Sequence, residues 1–302
     1  MEASENKKFA LVPKLPKHNL PMNKSSMVAH GQIPPELFDV VFRELHDYTV
    51  SFIQNWEQRG SGILVEINGV KGILTAGHVA GPLFRNSEHP VGIVIYNKPH
   101  RFEIRQNSLK NIPIPPKDKD PDGFDIPDIS FIQFLAPSDI ATIAAIKSFY
   151  PFRKRPSIDL NSPSAQTAIY AVGGAPLTRG TKTGTPNTES FRQCAKHFFT
   201  PAQFKAVQRV GHFDYLSLSL VAGVENYPTS YSGVSGGGMW HIPLFENLDG
   251  RLDYHAPELI GIVYFQSELL SQEGRPQARI IRGHSVLSAF DRLLYEINDA
   301  QK

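Results

Sequence analysis

Ser232-Gly233-Val234-Ser235-Gly236-Gly237 sets a serine among glycines near the start of the last third of the chain. Glycine tolerates positive φ and lets backbone approach a ligand closely. The stretch therefore reads as a tight turn whose N–H groups can converge on a substrate oxygen. Gly/Ser turns are common, and two segments upstream give this one its weight. In Gly72-Ile73-Leu74-Thr75-Ala76-Gly77-His78-Val79 an apolar strand runs into a corner that leaves an imidazole at a strand end. In Pro127-Asp128-Ile129-Ser130-Phe131-Ile132 an acidic residue opens a strand of alternating character. A serine hydroxyl holds its proton at neutral pH. It becomes a nucleophile when a base sits within hydrogen-bond reach and a third group fixes that base's tautomer and steadies its charge. His78, Asp128 and Ser235 supply those three chemistries.

On these residues the chain resembles the chymotrypsin-like (trypsin-like) serine peptidases. Thr75-Ala76-Gly77-His78 is similar to the family's T-A-A-H corner, Asp128-Ile129-Ser130-Phe131 to its D-I-A-L strand, and Gly233-Val234-Ser235-Gly236-Gly237 to its G-x-S-G-G turn. The order His, Asp, Ser is that of chymotrypsin rather than of subtilisins or α/β-hydrolases. Glu258-Leu259-Ile260-Gly261-Ile262-Val263 resembles the strand along which family substrates pair, and an amphipathic stretch ends the chain. The resemblance covers residues 50–298. It implies a mainly β fold of two six-stranded antiparallel barrels with a C-terminal helix and an N-terminal helical extension. The divisions it suggests are residues 1–47 as arm and helix, 48–155 as first barrel, and 156–302 as second barrel and helix. It further implies a serine endopeptidase. His78, Asp128 and Ser235 would act as the catalytic triad, and the backbone N–H groups of Gly233 and Ser235 would receive the oxyanion.

The chain departs from the family pattern at several positions. Val234 stands where zymogen-type members carry an acidic residue that pairs with a freshly cut N-terminus, so that switch is closed to this chain. Tyr264-Phe265-Gln266 replaces the family's Ser-Trp-Gly, removing the serine that helps hold the catalytic aspartate; Tyr264 could take that role only with different geometry. Gln266, where a glycine opens the specificity pocket, should narrow it. Thr229 is the uncharged counterpart of the residue that selects basic side chains in trypsins. The expected substrate-binding set is thus Thr229, Tyr264, Phe265 and Gln266, with no preference for Arg or Lys. Asp122 and Asp125 compete with Asp128 for the acidic role, but only Asp128 directly begins the apolar strand.

Composition fits a folded body large enough to bury a full core. The chain has 302 residues, 41% of them hydrophobic, and a formal net charge of +2 that gives no reason to invoke nucleic acid or membrane partners. No apolar run approaches the roughly 18 residues needed to span a bilayer. Residues 1–31 carry five lysines, two glutamates and no apolar core of a secretory signal. Cys194 is the single cysteine and cannot form an intrachain disulfide. Both features point to a cytoplasmic home. Asp118-Lys119-Asp120-Pro121-Asp122-Gly123 matches the start of a calcium loop, yet Ile129 stands where the bidentate glutamate belongs, so a solvated acidic turn is expected. Neither a metal nor a nucleotide cofactor is implied. The expected partner is a protein or peptide substrate. A regulatory partner or the N-terminal extension would gate the crevice. Two other classes stay open: a binding or scaffold protein on a peptidase fold without turnover, and an esterase or acyl-transferase using the same triad.

Local patterning predicts a helix over 36–45 behind Pro34-Pro35, with apolar residues at helical spacing. Strands are expected at 49–53, 61–67, 71–74, 91–96, 101–104 and 129–134, with Asn68-Gly69 as a hairpin turn. A helix or helical turn is expected within 139–149. Further strands fall at 168–172, 213–220, 237–240, 259–265 and 278–281, with 178–188 as a polar loop. His212, Asp214 and His284 read as strand-end or helix-start residues. Ser285 reads as the N-cap of a helix to Ile297.

Overall fold

The computed structural model describes residues 33–55, 57–85, 89–94, 101–114, 127–153, 160, 168–177, 181–183, 192–221, 228, 230–270 and 278–302. Helix α1 (Pro35–Tyr48) begins on the expected prolines and runs one turn beyond the expected end. Its last turn closes when the Thr49 hydroxyl donates to the Leu45 carbonyl (2.9 Å), satisfying an acceptor the helix cannot. Val41 and Leu45, four residues apart, are its buried face.

From Thr49 the chain turns to strands. The first sheet holds β1 (Thr49–Gln54), β2 (Glu57–Ile67), β3 (Val70–Thr75), β4 (Val91–Val94), β5 (Arg101–Ile104), β6 (Leu109–Pro113) and β7 (Ser130–Phe134). They lie in the order β5-β4-β1-β2-β3-β7-β6, with β8 (Tyr150–Pro151) added parallel to β2, and the sheet curls into a half-barrel. The β2–β3 hairpin turns at Asn68 (φ 51°) and Gly69 (φ 83°), the positive pair that Asn-Gly favours. Helix α2 (Gly77–Arg85) follows β3 directly. Two glycines and an internal Pro82 hide it from a propensity reading. Helix α3 (Pro137–Ala144) follows β7 and is shorter than the expected span.

The second sheet takes β9 (Ala168–Gly174), β12 (Phe198–Val210), β13 (Phe213–Val221), β14 (Gly238–Glu246), β15 (Leu252–Tyr254), β16 (Glu258–Leu270) and β17 (Ala278–Ser285). Its order is β15-β14-β16-β17-β13-β12-β9, and a further β14–β9 pairing closes six of these strands into a ring. Strands β10 (Thr181–Thr183) and β11 (Arg192–Cys194) pair as a separate ribbon, so part of the expected polar loop is strand. Helix α4 (Val286–Asp299) ends the chain; Ser285 occupies its N-cap but makes no side-chain cap bond. The rest of 178–188 and the acidic stretch 118–125 lie outside the described residues.

Strand alternation gives the ring two apolar faces. Tyr170, Val172, Met239, Ile260 and Leu218 pack within a core of their own. Ile169, Ala171, Trp240 and Ile262 join the core of the first sheet, together with Phe290 of α4 and Leu45 of α1. Trp240 is fully buried and meets Tyr150 edge-on at 5.3 Å between ring centroids. Helix α1 reaches the second sheet as well. Phe42 stacks on Phe199 (5.8 Å), and Tyr254 donates from its hydroxyl to Glu44 (3.2 Å). One continuous apolar core therefore spans both sheets.

Candidate active site

The register Thr75↔Ser130 between β3 and β7 brings the end of one strand beside the start of its neighbour. His78 lies three residues past that pair and Asp128 two before it, so antiparallel pairing alone draws them together. The Asp128 carboxylate then grips His78 twice. Oδ1 accepts the His78 backbone N–H at 2.7 Å, and Oδ2 meets Nδ1 at 2.5 Å. The first bond places the carboxylate on an N–H of the first turn of α2, where the helix dipole favours negative charge. The second makes Nδ1 the donor to the carboxylate, which leaves Nε2 as the ring's acceptor nitrogen. The His78 side chain is 49% exposed and that of Asp128 28%. Gly77 allows this approach, because a Cβ there would lie 2.9 Å from Asp128 Oδ1. Burial pushes the Asp128 pKa up, but hydrogen bonds and charge from His78 outweigh it and hold the carboxyl below its ordinary value. Asp122 and Asp125, the competing acids, lie outside the described residues.

Ser235 arrives from the second sheet. Its carbonyl accepts the Ser61 N–H of β2 (2.8 Å), while the neighbouring Gly236 N–H donates to Val263 of β16 (2.8 Å). The β2–β3 register of Ile63↔Leu74, carried two residues further, sets Ser61 opposite Ala76, at the corner that carries His78. Val79 Cγ1 and the Ser235 carbonyl oxygen lie 2.8 and 3.0 Å from one point, the Cβ that Gly60 lacks. The structure thus pairs His78 with Asp128 and docks the Ser235 backbone beside their corner. The Ser235 hydroxyl makes no hydrogen bond to another described residue, His78 included. Such contacts are often long before substrate binds.

Backbones approach closely here, across the two sheets at Gly236 and within the second sheet at Gly237, which explains the glycines. A Cβ at Gly236 would fall 2.0 Å from the Ser61 carbonyl oxygen and 2.1 Å from Thr75 Oγ1, and one at Gly237 would fall 2.0 Å from the Gly173 carbonyl oxygen. Gly233 and Gly236 also have φ of +91° and +84°. In the turn, Val234 N–H donates to Tyr231 C=O (3.0 Å) and Gly237 N–H to Val234 C=O (2.8 Å). Leu177 N–H donates to Ser232 C=O (2.7 Å). The N–H groups of Gly233 and Ser235 donate to no described residue. In a trans peptide the C=O and N–H point opposite ways. Anchoring Ser232 C=O and Val234 C=O therefore fixes the directions of those two N–H groups, each away from its bonded carbonyl.

Sequence reasoning missed His284. Rather than serving only as a helix-start residue, it is the penultimate residue of β17, its ring is buried, and its Nε2 accepts the Asp128 backbone N–H (3.0 Å). Burial lowers its pKa to about 4, which keeps the ring neutral and able to accept. Tyr264 does not bond the Asp128 carboxylate; its ring lies on His284 at 4.4 Å, with Tyr215 on His284 at 4.7 Å. Burial raises the Tyr264 pKa; the Arg282 charge opposes that rise and the Asp128 charge adds to it. Gln266 crosses from β16 to the segment before the turn. Its Oε1 accepts the Tyr231 N–H (2.9 Å), and its Nε2 lies 3.4 Å from Ser230 Oγ. Phe265 lies under the Arg282 guanidinium (5.7 Å). Thr229 lies outside the described residues. Among the described residues no group of three or more His, Cys, Asp or Glu could hold a metal ion, and no helix is long and apolar enough to cross a membrane.

No family model matches this chain, and no curated protein matches it. Among matching solved structures is one from work on the coupled folding and binding of the intrinsically disordered Sesbania mosaic virus VPg protein. It shares 13% sequence identity and a TM-score of 0.39, over 82% of this chain and 90% of that one. A likeness of that size leaves architecture and chemistry to be argued from this chain's own residues.

Proposed function

We propose that this chain is a chymotrypsin-like serine endopeptidase, built as two six-stranded barrels with the site in the crevice between them. The observation that carries the reading is the His78–Asp128 pair, made through His78 N–H and Nδ1, at a corner against which the serine turn docks, a turn whose Gly233 and Ser235 N–H groups donate to no described residue. Ser235 Oγ attacks the peptide carbonyl carbon while its proton passes to His78 Nε2. Asp128 holds the resulting imidazolium, and the new oxyanion accepts hydrogen bonds from Gly233 and Ser235 N–H. His78 then protonates the leaving amine as the C–N bond breaks. Water, deprotonated by the same ring, releases the acyl group. Each oxyanion donor is worth about 3 kcal/mol in the transition state. Val234 is buried and uncharged, so assembly of the turn needs no newly cut N-terminus.

Gln266 tied to Tyr231 shortens the space where a substrate side chain would enter, which supports small or polar residues there rather than Arg or Lys. The enzyme acts in the cytoplasm on one or a few protein substrates, gated by its N-terminal extension or a partner. Reaction with a fluorophosphonate probe tests the reading. Labelling that disappears in Ser235→Ala supports it. A wild-type chain that stays unlabelled, alone and with candidate partners, favours a scaffold without turnover. The scaffold reading draws on the Ser235 hydroxyl, which bonds no other described residue, and on the altered Tyr264–Gln266 strand. An esterase or acyl-transferase would also label and is separated by its substrate profile.

A further inference from the structure

Ser61 is wholly buried on β2, and every polar group it owns is engaged. Its N–H donates to Ser235 C=O (2.8 Å), and its C=O accepts the Thr75 hydroxyl (2.7 Å). Its own hydroxyl accepts the Ala175 N–H (2.9 Å) and donates to Gly233 C=O (2.9 Å). One hydroxyl offers one proton and two lone pairs, so these bonds define its orientation. They reach the two segments that shape the oxyanion turn. The carbonyls of Gly233 and Ser235 belong to the turn itself. Ala175 begins the short stretch whose Leu177 N–H anchors Ser232 C=O.

The peptide that follows Gly233 is consequently held at both ends, by Ser61 at its carbonyl and by Tyr231 at the Val234 N–H. A flip of that peptide would break a hydrogen bond at each end, one of them to the wholly buried Ser61 hydroxyl, which would lose its acceptor. Position 234 carries no charge, and the Val234 side chain is packed in the ring's interior core. An ion pair at that residue is therefore not what orders the turn. Close packing adds to the constraint: a Cβ on Gly174 would sit 3.0 Å from Ser61 Oγ and 2.9 Å from Val234 Cγ1.

We propose that Ser61 is a positioning residue that locks the oxyanion turn in its donating arrangement, in place of any charge-dependent activation. The proposal rests on the acyl-transfer reading above and deepens it, since it makes the site ready on folding. Its hydroxyl contributes no chemistry to the reaction. It acts by fixing the directions of two N–H groups it does not itself contain.

The test measures the second-order rate of fluorophosphonate labelling in the full chain. Ser61→Ala removes the hydroxyl without adding bulk, and Ser61→Cys replaces it with a slightly larger, weakly bonding thiol. Both are expected to label about 10²-fold more slowly, the loss typical of a displaced oxyanion donor. Ser61→Thr, which restores the hydroxyl, should return the rate to within about tenfold. Ser51→Ala serves as control. It removes another buried hydroxyl, bonded to His197 (2.8 Å), and should label at the wild-type rate even if its melting temperature falls. Wild-type labelling by Ser61→Ala overturns the proposal. A wild-type chain that never labels sinks the peptidase reading instead. Amide hydrogen exchange across residues 232–237 then decides the matter on its own: faster exchange there in Ser61→Ala, with other regions unchanged, upholds the lock, and unchanged exchange removes it.

Discussion

Acidification should weaken this fold through His284, and the loss can be sized. The ring accepts the Asp128 N–H only while neutral, and burial lowers its pKa from 6.5 to about 4. At pH above 6.5 it is neutral in the folded and the unfolded chain alike. As pH falls below 6.5 the unfolded chain takes up a proton that the folded chain refuses, so stability drops. Below about 4 both states are charged and the loss levels off. Across that window one such histidine removes about 3 kcal/mol. That is a large share of the roughly 5–15 kcal/mol by which domains are stable. His46 is lowered to about 4 and His197 well below 6.5, each chiefly by burial, so they steepen the decline in the same direction. The discriminating measurement is therefore a comparison with His284→Gln, whose amide accepts the same bond without titrating. Urea unfolding near pH 7 and near pH 4.5, followed by fluorescence, should show the variant losing about 2 to 3 kcal/mol less than wild type. Equal losses in the two proteins would refute the argument that His284 is buried neutral behind Asp128.

Three further outcomes are expected. Asp128→Asn keeps the shape but withdraws the charge that sets the His78 tautomer, so fluorophosphonate labelling should fall by about 10³-fold or more. Gln266→Gly should remove the bridge to Tyr231 N–H and admit larger side chains, read as a shift in cleavage preference across a peptide library. Gly236→Ala would push a methyl group to 2.0 Å from the Ser61 carbonyl oxygen at a φ of +84°; a destabilisation of at least about 2 kcal/mol should appear as a lower melting temperature.

Much of the local chemistry was legible because it is written in short stretches. The Asn68-Gly69 turn, the proline-led α1 and the apolar face of α4 each follow from a handful of adjacent residues. The His78 and Asp128 corners could be read for the same reason: each sits where an apolar strand starts or stops. What escaped was set by pairing between distant strands. His284 gives no local sign of standing behind Asp128; the β16–β17 and β3–β7 registers put it there. Strand β12 hides behind Pro201 and its run of Lys, Gln and Arg, yet the β9 and β13 partners on either side hold it in the ring. Helix α2 defies its own glycines and proline because Val79, Ala80 and Leu83 are buried. The β14–β9 closure likewise rests on contacts some seventy residues apart, beyond any periodicity argument.

The apolar mass shared by both sheets also governs how the molecule can come apart. Trp240 and Tyr150 are each other's cover, and α1 and α4 lay side chains on both halves. A chain severed between residues 153 and 168 would yield two fragments, each presenting a greasy face that only its counterpart fits. Alone they would clump, whereas mixed they would be drawn back into one body. Melting of the intact protein should then be a single event, with no half-folded species outliving its neighbour.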